Sequence, residues 1–101
     1  MTALKEIEAE RPTLNIRGAR VPGADLRNTI LHDANLSGAD ATNANFQGAD
    51  LRGANLSGTI LKGANLAEVE NLTIEQLSEA VLDHSTVLPA YIDLTKLKLS
   101  N

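Results

Sequence analysis

The sequence predicts an all-β solenoid of stacked, four-cornered coils with helical flanks, and two observations carry that prediction. From Leu14 to Glu68 a pentad is repeated eleven times without losing register. All seven glycines, at 18, 23, 38, 48, 53, 58 and 63, stand at its fifth position. A period of five matches neither a helix at about 3.6 nor a strand at about 2, so neither alone explains it. A turn every five residues leaves short extended pieces meeting at corners, and four right-angle corners close one coil of about twenty residues.

Each phase of the pentad has a physical role. Its third residues are Ile16, Val21, Leu26, Leu31, Leu36, Ala41, Phe46, Leu51, Leu56, Leu61 and Leu66, an unbroken apolar series that points inward. Its first residues are all small or apolar. Glycine at the fifth position reaches φ > 0 at little steric cost, and Asn28, Asp33 and Asn43 are the next most tolerant types. Pro22 before Gly23 fits a type II turn, with proline setting its second residue and glycine supplying the positive φ of its third.

These residues resemble the pentapeptide-repeat family, whose motif is A(D/N)LXX. The resemblance covers residues 14–68 and implies a right-handed quadrilateral β-helix. Eleven pentads, at about four to the coil, give about 2.75 coils. A second similarity follows at Leu72-Thr73-Ile74-Glu75-Gln76-Leu77 and Thr86-Val87-Leu88-Pro89, which is like the tail of many members.

A twenty-residue coil predicts which side chains stack, at roughly 4.8 Å per rung. Ile16, Leu36 and Leu56 form one inner column; Val21, Ala41 and Leu61 the next; Leu26, Phe46 and Leu66 the third; Leu31 and Leu51 the fourth. Phe46 and Ala41, the only phenylalanine and the only alanine among the centres, then share a coil, so the large ring fills volume left by the small side chain. Outside, Asn15, Asn35 and Asn55 align as a ladder whose amides can bond along the axis. Arg20 falls beside Asp40 as a weak surface pair.

The flanks read as covers for the open ends of the solenoid, which would otherwise expose apolar groups and unpaired backbone. The chain divides into an N-terminal helical cap at 1–13, the repeat at 14–68, and a C-terminal helical cap and tail at 69–101. In the first, Ala3, Leu4 and Ile7 share a helical face, with Glu6, Glu8 and Glu10 as polar cover and Pro12 after its end. In the last, Thr73 and Gln76 have capping-box spacing, and Ile74, Leu77, Ala80 and Val81 predict a helix to about Asp83. Residues 88–101 mix periods and read as a short helix or an extended tail.

Composition narrows the function. The chain has 101 residues and no cysteine, which excludes disulfides and thiolate metal sites. No apolar run approaches the twenty or so residues that cross a bilayer, and the N-terminal segment is acidic rather than a basic leader. The expectation is a soluble, cytoplasmic protein, or a periplasmic or thylakoid-lumen one if a leader has been removed. Within the repeat Arg17, Arg20, Arg27, Arg52 and Lys62 balance Asp25, Asp33, Asp40, Asp50 and Glu68, so the formal net charge of −4 lies in the flanks.

The family resemblance implies one specific activity to weigh, because its best-known members protect gyrase by imitating duplex DNA with an acidic rod. A mimic needs negative charge along its side at something like phosphate density. This repeat is neutral, and on the order of 13 Å of rod is short for the purpose. Nucleic-acid binding is not expected either, since no aromatic stacking platform exists.

Candidate chemistry is sparse. Asp83-His84-Ser85 collects three reactive residue types, but neighbours in sequence seldom converge as a triad, so they read as polar residues at a helix end. His32 stands at an outward fourth position beside Arg52 and reads as solvated. The Asp and Asn residues are spread around four faces and lack a closing bidentate Glu, so no metal and no cofactor are expected.

The reading is therefore a non-catalytic scaffold or protein-interaction module, with a gyrase or topoisomerase modulator as the alternative. The candidate contact residues are Ile30 and Ile60, which interrupt the polar second position on opposite faces, and Tyr91, Ile92 and Leu97 in the tail. The expected partner is another protein of unknown identity. A homodimer through a solenoid end or the C-terminal tail is the other arrangement the sequence allows.

Overall fold

The structure, a computed structural model, describes residues 13–97. The N-terminal helix expected across Ala3, Leu4 and Ile7 lies outside those residues, as does the end of the 88–101 tail.

The chain comes back on itself every twenty residues. Parallel bridges join Asn15 to Asn35 and Asn35 to Asn55, and Arg20 to Asp40 and Asp40 to Ile60. Others join Asp25 to Asn45 and Asn45 to Asn65, and Ile30 to Asp50 and Asp50 to Glu70. All but Glu70, which follows the last pentad in the same phase, are second-position residues, and they are arranged in four columns. Hydrogen bonds tie the rungs around each bridge: the Asn55 N–H donates to the Ala34 carbonyl at 2.8 Å, and the Leu36 N–H to the Asn55 carbonyl at 2.9 Å. Each pentad contributes one bridge residue rather than a continuous strand. Two of its five positions are spent on the turn, which leaves too little extended chain for a longer ladder.

The turns explain the glycines. In most pentads the N–H that opens the next unit donates to the third-position carbonyl, as Ala19 does to Ile16 at 2.9 Å and Ala49 to Phe46 at 2.8 Å. The intervening fifth residue has positive φ in every case described, including Asn28 (58°), Asp33 (59°) and Asn43 (60°). Glu68 at 59° closes the last pentad in the same way.

The inner columns fill as the twenty-residue register requires. Leu36, Leu51, Leu56, Leu61 and Leu66 are buried, and Phe46 is 1% exposed in the coil that also buries Ala41. First-position alanines line the same cluster. Thr59, the one buried polar residue described, donates its hydroxyl to the Leu36 carbonyl at 2.7 Å, so its burial leaves no hydroxyl unpaired.

Beyond the repeat, helix α1 spans Ile74–Ser78 and carries the expected capping box between Thr73 and Gln76. It is shorter than the spacing of apolar residues suggested. Instead of continuing to Asp83, the chain rejoins the ladder: Val81 bridges Ile60 and Val87 bridges Asn65. The offsets of 21 and 22 residues absorb the helix as an insertion in the winding. Backbone pairing with the coil beneath outweighs the helical pattern of Ala80 and Val81, because unpaired edge groups are costly where the core is covered. A 3₁₀ turn follows at Leu94–Lys96.

Candidate functional site

The second-position Asp and Asn residues do their work locally. Asn15, Asn35 and Asn55 are stacked as expected, but their side-chain oxygens do not run along the axis. Asn35 Oδ1 accepts from the Ser37 N–H at 3.1 Å and the Ser37 hydroxyl at 2.8 Å. Asn15 and Asn55 accept in the same way from the Arg17 and Ser57 N–H groups. Where the second position is Asx, its side chain bonds two residues ahead and pins the start of the turn, which is the physical reason for the (D/N) in the motif. Asp40 does this with Thr42 rather than pairing with Arg20, and the Thr42 hydroxyl and N–H hold its carboxyl below the usual range.

Among the described residues Arg27 forms an ion pair with Asp25 at 2.8 Å, and His32 Nε2 lies 2.7 Å from the Asp50 carboxylate, within hydrogen-bond distance. The first is local, and the Arg27 guanidinium lowers the Asp25 pKa to about 2. The second crosses between rungs. His32 does face outward, with a side chain 44% exposed, but it is engaged by Asp50 rather than standing free beside Arg52. Asp50 also accepts from the Asn71 side-chain amide at 3.0 Å and the Arg52 N–H at 3.1 Å. The Asn71 bond is the main reason its carboxyl is held below the usual range, partly opposed by desolvation.

That cluster lies on the column Ile30, Asp50, Glu70, which bears large exposed hydrophobic groups near both ends. Ile30 is 58% exposed. Tyr91, also 58% exposed, is fixed by its hydroxyl, which donates to the Val69 carbonyl at 2.5 Å and accepts from the Leu72 N–H at 3.2 Å. Those two partners flank Glu70 and Asn71, so Tyr91 sits at the C-terminal end of the column that begins with Ile30. The sequence gives no sign of this neighbourhood, because the 60 residues between them carry no pattern relating the tail to one face.

The other candidate residues lie elsewhere. Ile60 is half-buried between Asp40 and Val81 on a different column. Ile92 and Leu97 are partly buried against the core cluster. Asp83, His84 and Ser85 do not form a relay. Ser85 donates its hydroxyl straight to Asp83 at 2.7 Å, and Asp83 also accepts from the N–H groups of Ser85 and Gly63. The triplet is another Asx turn, on the path between α1 and Val87.

The family model and one solved structure agree with this geometry. The family model for pentapeptide repeats, in eight copies, matches residues 15–48 and 29–66. Among solved structures, the chain is similar to a pentapeptide repeat protein (Rfr23) from the cyanobacterium Cyanothece 51142, at 32% identity and a TM-score of 0.67, covering 76% of this chain and 52% of that one. The chain thus spans about half the length of that relative. It also matches a pentapeptide repeat protein from Nostoc Pcc 7120, at 26% identity and a TM-score of 0.37, covering 98% of this chain and 93% of the other. A third match is a pentapeptide repeat protein from the Arabidopsis thaliana thylakoid lumen, at 23% identity and a TM-score of 0.39, covering 87% and 66%. No curated protein matches. With its pentad register, its twenty-residue bridges and the family model spanning residues 15–66, the chain belongs to the pentapeptide repeat family.

Proposed function

We propose that the protein is a non-catalytic scaffold, a short right-handed quadrilateral β-helix of about 2.75 coils, that binds a protein partner through the Ile30–Asp50–Glu70 face. One observation carries the reading: two large exposed hydrophobic side chains, Ile30 and Tyr91, flank a hydrogen-bonded polar strip of His32, Asp50 and Asn71 on a rigid frame. Exposed aliphatic and aromatic groups among ordered polar ones are the make-up of protein contact surfaces, where Tyr and Arg often dominate the energy. Arg52 supplies the second of these types beside His32. Catalysis has less support, since among the described residues the interior is filled by side chains such as Leu36, Phe46, Leu51 and Leu56, whereas substrates enter concave pockets with convergent polar groups.

The test compares Ile30→Asp with Ile60→Asp, which alters a different column. Both variants are first checked for an unchanged melting temperature. A partner captured by the native chain should be lost from the first variant and kept by the second. Equal capture by both would remove this face from the account. A supercoiling assay addresses the competing activity: inhibition of gyrase at micromolar protein would replace the scaffold reading with a topoisomerase modulator.

A further inference from the structure

A chain of hydrogen bonds crosses the rungs of the Ile30–Asp50–Glu70 face. It begins on the first coil at His32, whose Nε2 lies 2.7 Å from Asp50 Oδ2 on the second. The other carboxylate oxygen of Asp50 accepts from the Asn71 side-chain amide at 3.0 Å and from the Arg52 N–H at 3.1 Å. Asn71 lies beyond the last pentad at φ 62°, and the next N–H, that of Leu72, donates to the Tyr91 hydroxyl at 3.2 Å. One carboxylate therefore joins the first coil to the segment that holds the tail.

We propose that His32 makes this chain a proton-sensitive switch, in which one proton on the imidazole sets the charge and the hydrogen bonding of the face from the first coil to the tail. Its use in regulating a partner rests on the reading of this face as a contact surface; the proton coupling itself does not.

Histidine is the side chain whose charge ordinarily changes between about pH 5 and 8. Asp50 does not change with it, because its carboxyl is held below the usual range, chiefly by the Asn71 bond. The other charged groups around His32 among the described residues are Arg52, one rung on in its own column, and Asp33, next in the chain with Oδ1 turned to the Gly53 corner. Glu70 lies one rung beyond Asp50.

With the proton on, the imidazolium gives Asp50 a charge-assisted bond, for which 2.7 Å is an ordinary length. With the proton off, the carboxylate faces a neutral ring and the face carries one more net negative charge. The His32 side chain is 44% exposed, so solvent reaches its proton. Asp50, at 20%, has less water to offset the change, and its remaining donors, Asn71 and the Arg52 N–H, take up the difference.

The experiment is an NMR titration of the free, isotopically labelled full chain from about pH 5 to 8. It reads both imidazole rings, the Asn71 side-chain amide and the Leu72 N–H. The switch predicts a sigmoidal shift of the Asn71 amide at the midpoint of the His32 ring, with Leu72 following at smaller amplitude. His84→Gln removes the other ring and should leave that curve unchanged. His32→Gln keeps a donor for Asp50 without a titrating proton and should flatten it. An Asn71 signal that is flat in the native chain, that is lost in His84→Gln, or that still titrates in a folded His32→Gln overturns the proposal. The native chain and His84→Gln decide the matter even where His32→Gln does not fold. With no partner present, these outcomes are separate from those of Ile30→Asp, which test the face as a contact surface.

Discussion

The side-chain oxygen of Asn43 occupies the space that a Cβ on Gly63 would need, one coil further along the same column. Asn28 stands in the same relation to Gly48, and Asp33 to Gly53. At Gly18, Gly38 and Gly58, where glycines stack on one another, a Cβ would meet nothing closer than ordinary contact. Within the repeat, a left-handed Asn or Asp thus commits the position twenty residues later to glycine.

Gly63→Ala should therefore cost more than Gly58→Ala, although both force alanine into positive φ. Backbone strain alone predicts about 1–2 kcal/mol at Gly58, and displacing Asn43 adds roughly 1–3 kcal/mol at Gly63. Denaturant unfolding of the two variants measures the gap. Adding Asn43→Gly to Gly63→Ala should bring the cost back towards that of Gly58→Ala.

Gln76 has two tasks, and only one is visible in its motif. Its Oε1 accepts from the Thr73 N–H at 2.9 Å, closing the capping box. Its Nε2 donates to the carbonyls of Leu51 at 2.8 Å and Ala54 at 3.0 Å. The amide thus stands in for backbone donors where α1 interrupts the ladder. Gln76→Glu keeps the capping acceptor but loses the donor and turns a carboxylate towards two carbonyls. The expected loss is about 1–3 kcal/mol by chemical denaturation at neutral pH, shrinking in acid as the carboxyl regains a proton.

Tyr91 fastens the tail through its hydroxyl alone, since the ring is largely exposed. Tyr91→Phe should lower global stability by only about 1 kcal/mol but open the tail locally. Hydrogen exchange at the Leu72 amide reads this directly. Faster exchange there, with Leu61 and Leu66 amides much less affected, is the expected pattern.

Acid should loosen the turns. The carboxyls of Asp25, Asp40, Asp50, Asp83 and Asp93 are all lowered, each chiefly by a side-chain hydrogen bond, and Asp25 falls to about 2. A depressed folded-state pKa contributes stability that is present above the unfolded value, near 4, and is lost as pH falls through the folded value. The melting temperature should thus change little from these groups at neutral pH and decline between about pH 4 and 2. Asp40→Asn removes one titrating group while preserving an oxygen that can accept from Thr42. Its melting curve should depend less on pH over that window than the native one.

The winding was legible because a five-residue period with glycine or Asx at its corner constrains every unit alike. Phe46 could be placed inside, and Leu36 beneath Leu56, from spacing alone. The same local signal identified the capping box of Thr73 and Gln76. The helical spacing of Ala80 and Val81 misled, because Val81 is claimed by the backbone of Ile60, a contact that has no counterpart in local periodicity.

By itself, then, the sequence determined the repeat, its register and the inward column, since these follow from φ preferences and polarity within five residues. The tertiary structure alone decided the contacts that close over longer distances: Asp50 receiving His32 and Asn71, Gln76 completing the ladder, and Tyr91 joining the column of Ile30. Those depend on where the chain goes after the register lapses, and the irregular offsets of 21 and 22 residues are set by packing and hydrogen-bond satisfaction rather than by any repeated letter.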